Sequence, residues 1–194
     1  MRRIDVPKEI EIDYIKWCDF LEKHVDFWLK TSDMHTKEHC SRVLLFALLI
    51  GKKLGISEQE KEILCHASVF HDSRRQDDWL DVGHGRRAAE YYKEYCSENE
   101  LTFQPWAYNV MAYHDRDDDF GIKAMSTEIT GREILIYQIF KDADALDRFR
   151  LGSDGLDIKY LRTDVSKSLY DFAKKVWGQY EQMMEDVRKT IRVN

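Results

Sequence analysis

Val43-Leu44-Leu45-Phe46-Ala47-Leu48-Leu49-Ile50 is an unbroken apolar run of eight residues. Wound as a helix it is apolar on every side, so other helices must surround it. It is the longest such run in the chain and far short of the roughly 20 residues a membrane span needs. The helix that contains it extends from about His35 to Leu54, and Gly55 can close it with a left-handed cap. The fold expected around it is an all-α helical bundle.

Its neighbours read the same way. Residues 8–30 carry Ile12, Ile15, Phe20, Val25, Phe27 and Trp28 among charges at roughly helical spacing, which predicts an amphipathic opening helix with core aromatics. Ser57-Glu58-Gln59-Glu60 is a capping box that starts a third helix. A polar stretch, 73–85, leads into a helix over Arg86–Tyr95, and Pro105 opens a fifth. A sixth runs from about Glu128 to Arg150; after the turn-rich Gly152-Ser153-Asp154-Gly155, further helices are predicted over Leu156–Arg162 and Val165–Arg192. The last carries Leu169, Phe172, Val176, Trp177, Tyr180 and Met183, and packs across the bundle or builds a homodimer face.

Composition bounds the function. With 194 residues, 43% of them hydrophobic, the chain can bury one sizeable core, and one domain over 1–194 is expected, its centre at about 35–150. A net charge of −6 argues against a nucleic acid polymer as partner. Cys18, Cys40, Cys65 and Cys96 are scattered, with no framework spacing, as in a reducing compartment. The opening Met1-Arg2-Arg3 is basic, but Ile4 to Glu9 cannot be a signal-peptide core. A cytoplasmic protein without membrane attachment is the expectation.

The chemistry-bearing residues lie on these helices. His39 stands four, seven and eleven residues before Val43, Phe46 and Ile50, so it continues a buried face. A lone histidine there is most often a core residue hydrogen-bonded to backbone. His35, one turn earlier, competes with it by spacing. Ile63, Ala67 and His71 recur at every fourth position, and Asp72 follows at the helix end, an imidazole beside a carboxylate that suits a divalent metal. His66 breaks that stripe and reads as structural or exposed. His114 extends the stripe of Ala107, Val110 and Met111, and His84 sits at a helix start, where free N–H groups favour anions. Arg74, Arg75, Arg86 and Arg87 fall within fourteen positions, a density that suits a phosphate held beside a metal; a solvated charge run is the alternative. Asp115 to Gly121 has the acid density of a calcium loop, but the glycine is one place late and the twelfth position is Ser126, so Asp117 to Asp119 read as a solvated loop. In Lys141 to Arg148, Asp142 and Asp144 each lie on an apolar face, and periodicity does not choose between them. Buried acids there need a metal or an arginine, and Asp142 or Asp147 fits the second case.

The ordered set His39-Cys40-Ser41-Arg42-Val43, His71-Asp72 and Ala143-Asp144-Ala145-Leu146 resembles the HD superfamily of metal-dependent phosphohydrolases. That family places an H…HD…D set on separate helices of an α-helical bundle and binds a divalent ion with it. The resemblance covers about His39 to Arg150. It selects His39 over His35, because Arg-Val follows it after two intervening residues, and Asp144 over Asp142, from the family's Ala-Asp-x-Leu setting. The chain also resembles the branch in which extra histidines serve a second metal; His84, in His84-Gly85-Arg86-Arg87, and His114 stand where those fall, and Asp72 would bridge. The acidic catalytic segment of the helical nucleotidases and the synthetase half of the alarmone enzymes are absent.

The resemblance implies one or two divalent ions (Mn, Mg, Co, Ni, Zn or Fe) on His39, His71, Asp72, His84, His114 and Asp144. It also implies hydrolysis of a nucleotide or other small phosphate ester or anhydride by a metal-bound hydroxide. Arg74, Arg75, Arg86 and Arg87 would neutralise phosphoryl charge, with Arg75 closest to the chemistry, and Asp78 would shuttle the proton by its place in the loop. Two alternatives share the ligand set: an HD-fold di-iron oxygenase and a non-catalytic nucleotide-binding module.

Overall fold

The computed structural model describes residues 6–32, 34–125 and 130–192, with 183–192 by their backbone alone. The basic Met1–Arg3 start, Ser126, the predicted helix start at Glu128 and the side chain of Met183 lie outside the described residues. Among those described, every regular element is helical: α1 Glu11–His24, α2 Lys37–Leu54, α3 Glu58–Phe70, α4 His84–Glu98, α5 Pro105–Tyr113, α6 Asp118–Met125, α7 Gly131–Leu146, α8 Asp164–Ser168 and α9 Tyr170–Arg192. No described helix is long and apolar enough to cross a membrane. The four cysteines form no disulfide.

α2 is the central rod. Every residue from Val43 to Gly51 is buried, and α1, α3 and α7 pack around it. Each fully buried Leu, Ile or Phe of this run contributes about 1.5–3 kcal/mol of transfer free energy. Thr36 caps its start, accepting the His39 N–H at 3.3 Å, and Gly55 closes it at φ +63°, where a side chain would be strained. The capping box of α3 is formed in both directions by Ser57 and Glu60. α4 and α5 pair with each other and close over the end of α3.

Five segments depart from the sequence reading. α1 ends at His24, because Val25 turns extended and the Trp28 N–H donates to the Ser73 carbonyl at 3.0 Å. Its buried face is Tyr14, Trp17 and Leu21; Ile12 and Ile15 are exposed, as is Trp28. Asp117 to Asp119 are no solvated loop: Asp117 accepts the Asp119 N–H at 3.0 Å and starts α6, and Asp118 pairs with Lys141 and Arg162. The sixth predicted helix tightens into a 3-10 turn over Asp147–Leu151. The helix expected over Leu156–Arg162 shrinks to a 3-10 turn, Ile158–Tyr160, because buried Asp142 draws the chain onto itself. Asp142 accepts the backbone N–H groups of Arg162 and Thr163, both at 2.8 Å, and the Thr163 hydroxyl at 3.0 Å. Thr163 in turn caps α8, so 165–192 is two helices broken at Leu169.

Candidate metal centre

Helix ends build the site. His71 and His114 are the first residues past α3 and α5, His84 is the first residue of α4, and Asp144 lies in the last turn of α7. His39 comes from the first turn of α2. Backbone carbonyls at helix ends and turns have lone pairs to spare, and three of these histidines use them. His71 Nδ1 donates to the Ser68 carbonyl at 3.0 Å, His114 Nδ1 to Met111 at 2.7 Å and His84 Nδ1 to Asp81 at 2.7 Å. His39 Nδ1 donates instead to Asp147 Oδ2, at 2.7 Å. With every Nδ1 carrying its proton toward an oxygen, every Nε2 presents a lone pair inward.

Those lone pairs meet in two pairs. His39 Nε2 and His71 Nε2 are 3.2 Å apart, and His84 Nε2 and His114 Nε2 are 2.9 Å apart. The Asp72 carboxylate lies between them, one oxygen to each. Its Oδ2 is 3.4 Å from His39 Nε2 and 3.9 Å from His71 Nε2, and its Oδ1 is 3.0 Å from His84 Nε2 and 3.8 Å from His114 Nε2. Asp144 Oδ1 reaches His39 Nε2 at 3.4 Å. Two groups of metal-ligand type, His39-His71-Asp72 and Asp72-His84-His114, therefore share one carboxylate. The residues fit a divalent ion in each, because facing lone pairs with no proton between them repel unless a cation joins them.

The surroundings hold His71, Asp72 and Asp144 in ligand form. Burial pushes the His71 imidazole down to about 3, so it stays neutral. Burial opposes charge on Asp72 and Asp144 as well, but the neighbouring imidazoles outweigh it and hold both well below the usual carboxylate range. Burial likewise works against protonated His39 and His114, yet Asp144 and Asp147 for the one and Asp72 for the other raise them. Phe140 of α7 packs edge-on against His71 and His114 and forms an apolar floor. Asp144 is the open side, its side chain 33% exposed while the four imidazoles and Asp72 are buried.

The arginine run divides. Arg75 is buried beside the site, Nη1 3.7 Å from Asp72 Oδ1 and 3.2 Å from the His84 ring, anchored by the carbonyls of Asp77 and Trp79. Arg74 is turned away, its guanidinium 3.2 Å from the Tyr91 ring centre and bonded to the carbonyls of Asp26 and Ser73. Arg87 forks onto Asp81 with both contacts at 2.6 Å, and Arg86 lies exposed near Glu90. None of these three reaches the cluster. Asp78 does not face the donors directly: its Oδ1 accepts from Ser32 Oγ and pairs with His35 Nδ1 at 2.9 Å. The His35 ring stands edge-on to His39 with centres 6.1 Å apart. His66 is buried and structural, bonded to Tyr92 Oη at 2.7 Å.

Three residues that the sequence reading passed over or assigned elsewhere support the donors. Asp147, the residue after α7, takes the His39 proton on Oδ2 and a fork from Arg42, Nε to Oδ1 at 2.6 Å and Nη2 to Oδ2 at 3.0 Å. Arg42 lies in turn over the adjoining rings of Trp177 and Tyr180 of α9. Asp115 Oδ2 accepts the Gly83 N–H and lies 3.7 Å from His84 Nδ1. Asp147 stands three places after Asp144 and Asp115 directly follows His114, but their partners lie 105 and 32 residues away, beyond any local pattern. No family model, no curated protein and no solved structure matches the chain.

Proposed function

We propose that this chain is a metal-dependent phosphohydrolase of the HD type, acting on a small phosphate ester or anhydride such as a nucleotide. The observation that carries the reading is the pairing of four imidazole Nε2 atoms across the two oxygens of Asp72. Divalent ions held there supply Lewis acidity to a phosphoryl oxygen and acidify a water near neutral pH.

The chain's own residues do the rest. His71, His84 and His114 are oriented by carbonyls and His39 by Asp147, so the donors need no rearrangement to bind. Asp144, on the open side, marks where substrate arrives. Arg75, fixed by two loop carbonyls next to Asp72, puts a permanent positive charge where phosphoryl oxygens gain negative charge. Asp78 acts through His35: by accepting the Nδ1 proton it leaves Nε2 as the lone-pair atom that can take one up. Burial lowers His35 from its ordinary value, so the ring is neutral at pH 7 and can accept a proton.

The test joins metal analysis of purified protein to a phosphatase and pyrophosphatase screen over Mn, Mg, Co, Ni, Zn and Fe. One or two ions per chain are expected, with anaerobic phosphate release that disappears in Asp72→Ala. Turnover unchanged in that variant, with no metal in the parent, refutes the reading. Iron absorbance with oxygen-dependent turnover replaces it with an oxygenase, and metal-loaded protein that binds nucleotide without turning it over makes it a binding module.

A further inference from the structure

α9 meets the metal centre at one remove. Its first turn packs on the two elements that carry His39 and its acid. Phe172 faces Phe46 of α2 with ring centres 6.4 Å apart, and Tyr170 faces Phe149, in the turn that begins at Asp147, at 5.2 Å. Further along, Trp177 and Tyr180, whose own rings are 5.4 Å apart, lie 5.2 and 4.5 Å from the Arg42 guanidinium carbon.

Arg42 needs that cover. It is 3% exposed, and Asp147 answers Nε and Nη2, but Nη1 is buried with no hydrogen-bond partner. Aromatic faces attract a guanidinium through their quadrupoles and fix its plane. The plane matters, because Asp147 Oδ2 takes one Arg42 bond and the His39 Nδ1 proton together. A guanidinium that tilts draws Oδ2 off Nδ1, and the ring whose Nε2 faces His71 then loses its bearing. His71, His84 and His114 are oriented by backbone carbonyls, so their aim does not run through Arg42.

Resting on the two-ion centre of the reading above, though not on its reaction, we propose that Trp177 and Tyr180 are positioning residues for the first ion. Seated on Arg42, they keep Asp147 on His39. Docking of α9 thereby sets the affinity of the His39-His71-Asp72 group and leaves the Asp72-His84-His114 group as it is. The helix is a control point: unseating it empties one half of the centre.

The test is competition for zinc against a chelating dye, with melting temperature, on the parent, Tyr180→Phe, Tyr180→Leu and Trp177→Leu/Tyr180→Leu, each also in an Arg42→Met background. With Arg42 present, Tyr180→Leu is expected to weaken one ion about three- to tenfold, less than the about 10–100-fold for removing a group bonded to the ligand itself, while the other ion is held as in the parent. Tyr180→Phe keeps the ring over the guanidinium and should bind both ions like the parent. With Arg42→Met the rings have nothing to hold, so the leucine substitutions should change neither ion, however far they lower the melting temperature. Parent-like affinity for both ions in the leucine variants overturns the proposal, as does a loss shared by both ions or equal with and without Arg42. If the double leucine variant does not fold, Tyr180→Leu alone decides. A parent that takes up no zinc removes the metal centre and this proposal together. A two-ion parent that hydrolyses no phosphate ester or anhydride refutes the hydrolase reading and leaves the positioning role intact.

Discussion

Replacing Asp147 with Asn separates its two tasks. Asp147 is 2% exposed and Arg42 3%, and the acid receives two bonds from Arg42 and one from His39. The amide keeps nearly the same shape but loses the charge, leaving Arg42 buried and uncompensated. Breaking a buried ion pair from one side costs about 3–5 kcal/mol. In a chain of this size each kcal/mol moves the melting temperature by about 2–4 °C, so Asp147→Asn should melt about 6–20 °C below the parent. The second effect falls on the metal. Without the carboxylate, His39 Nδ1 loses its charged acceptor, and the change should weaken metal binding by about 10–100-fold. Removing the orphaned cation in Asp147→Asn/Arg42→Met should restore much of the stability and none of the metal affinity. Thermal melts and competition with a chelating dye read the two quantities independently. An Asp147→Asn protein that melts within about 2 °C of the parent, or a double variant that regains metal affinity, would refute the division of roles.

Other expectations are as direct. A Cβ on Gly85 would strike the Met111 carbonyl and lie 2.8 Å from His114 Nδ1, so Gly85→Ala should displace His114 and lower metal content while the His39-His71-Asp72 group stays loaded; full stoichiometry in that variant would contradict the packing. His66 is pushed by burial from 6.5 to about 4, so the unfolded chain takes up this proton first as pH falls. The stability it contributes is whole above about 6.5 and disappears as pH drops through 4, a change of about 3 kcal/mol that urea unfolding should record and His66→Gln should flatten. His39 and His114 are raised by their carboxylates, so as pH falls they take up protons that an incoming metal must expel. Metal affinity should fall as pH is lowered, and titration heats should depend on the buffer's ionisation enthalpy; equal heats in every buffer would sink this.

Much of the fold was legible because its signals are local. The apolar run of α2, the Gly55 cap and the Ser57–Glu60 box each depend on residues within a turn of one another. The errors fall where distant partners decide. Asp142 unwinds the segment before α8 through Arg162 and Thr163, twenty and twenty-one residues on. Asp117 is a local exception: it accepts the Asp119 N–H two residues on and starts a helix in what reads as an acidic loop. The six proposed donors lie on inward stripes and at helix ends; periodicity left His35 beside His39 and Asp142 beside Asp144, the resemblance chose, and the structure brings the chosen six together. Arginine density was a poor guide: of Arg74, Arg75, Arg86 and Arg87, Arg75 alone reaches the cluster.

The donors enter from five helices or their ends, and His39 and Asp144 are separated by most of the bundle's connectivity. An unfolded chain therefore has no such cage, and an ion would discriminate almost wholly in favour of the native form. At a free concentration one hundred times its dissociation constant, that preference adds about 2.7 kcal/mol to global stability. Metal supply would then govern how long each molecule survives proteolysis, so starvation for the ion would shorten the protein's lifetime as well as idle it.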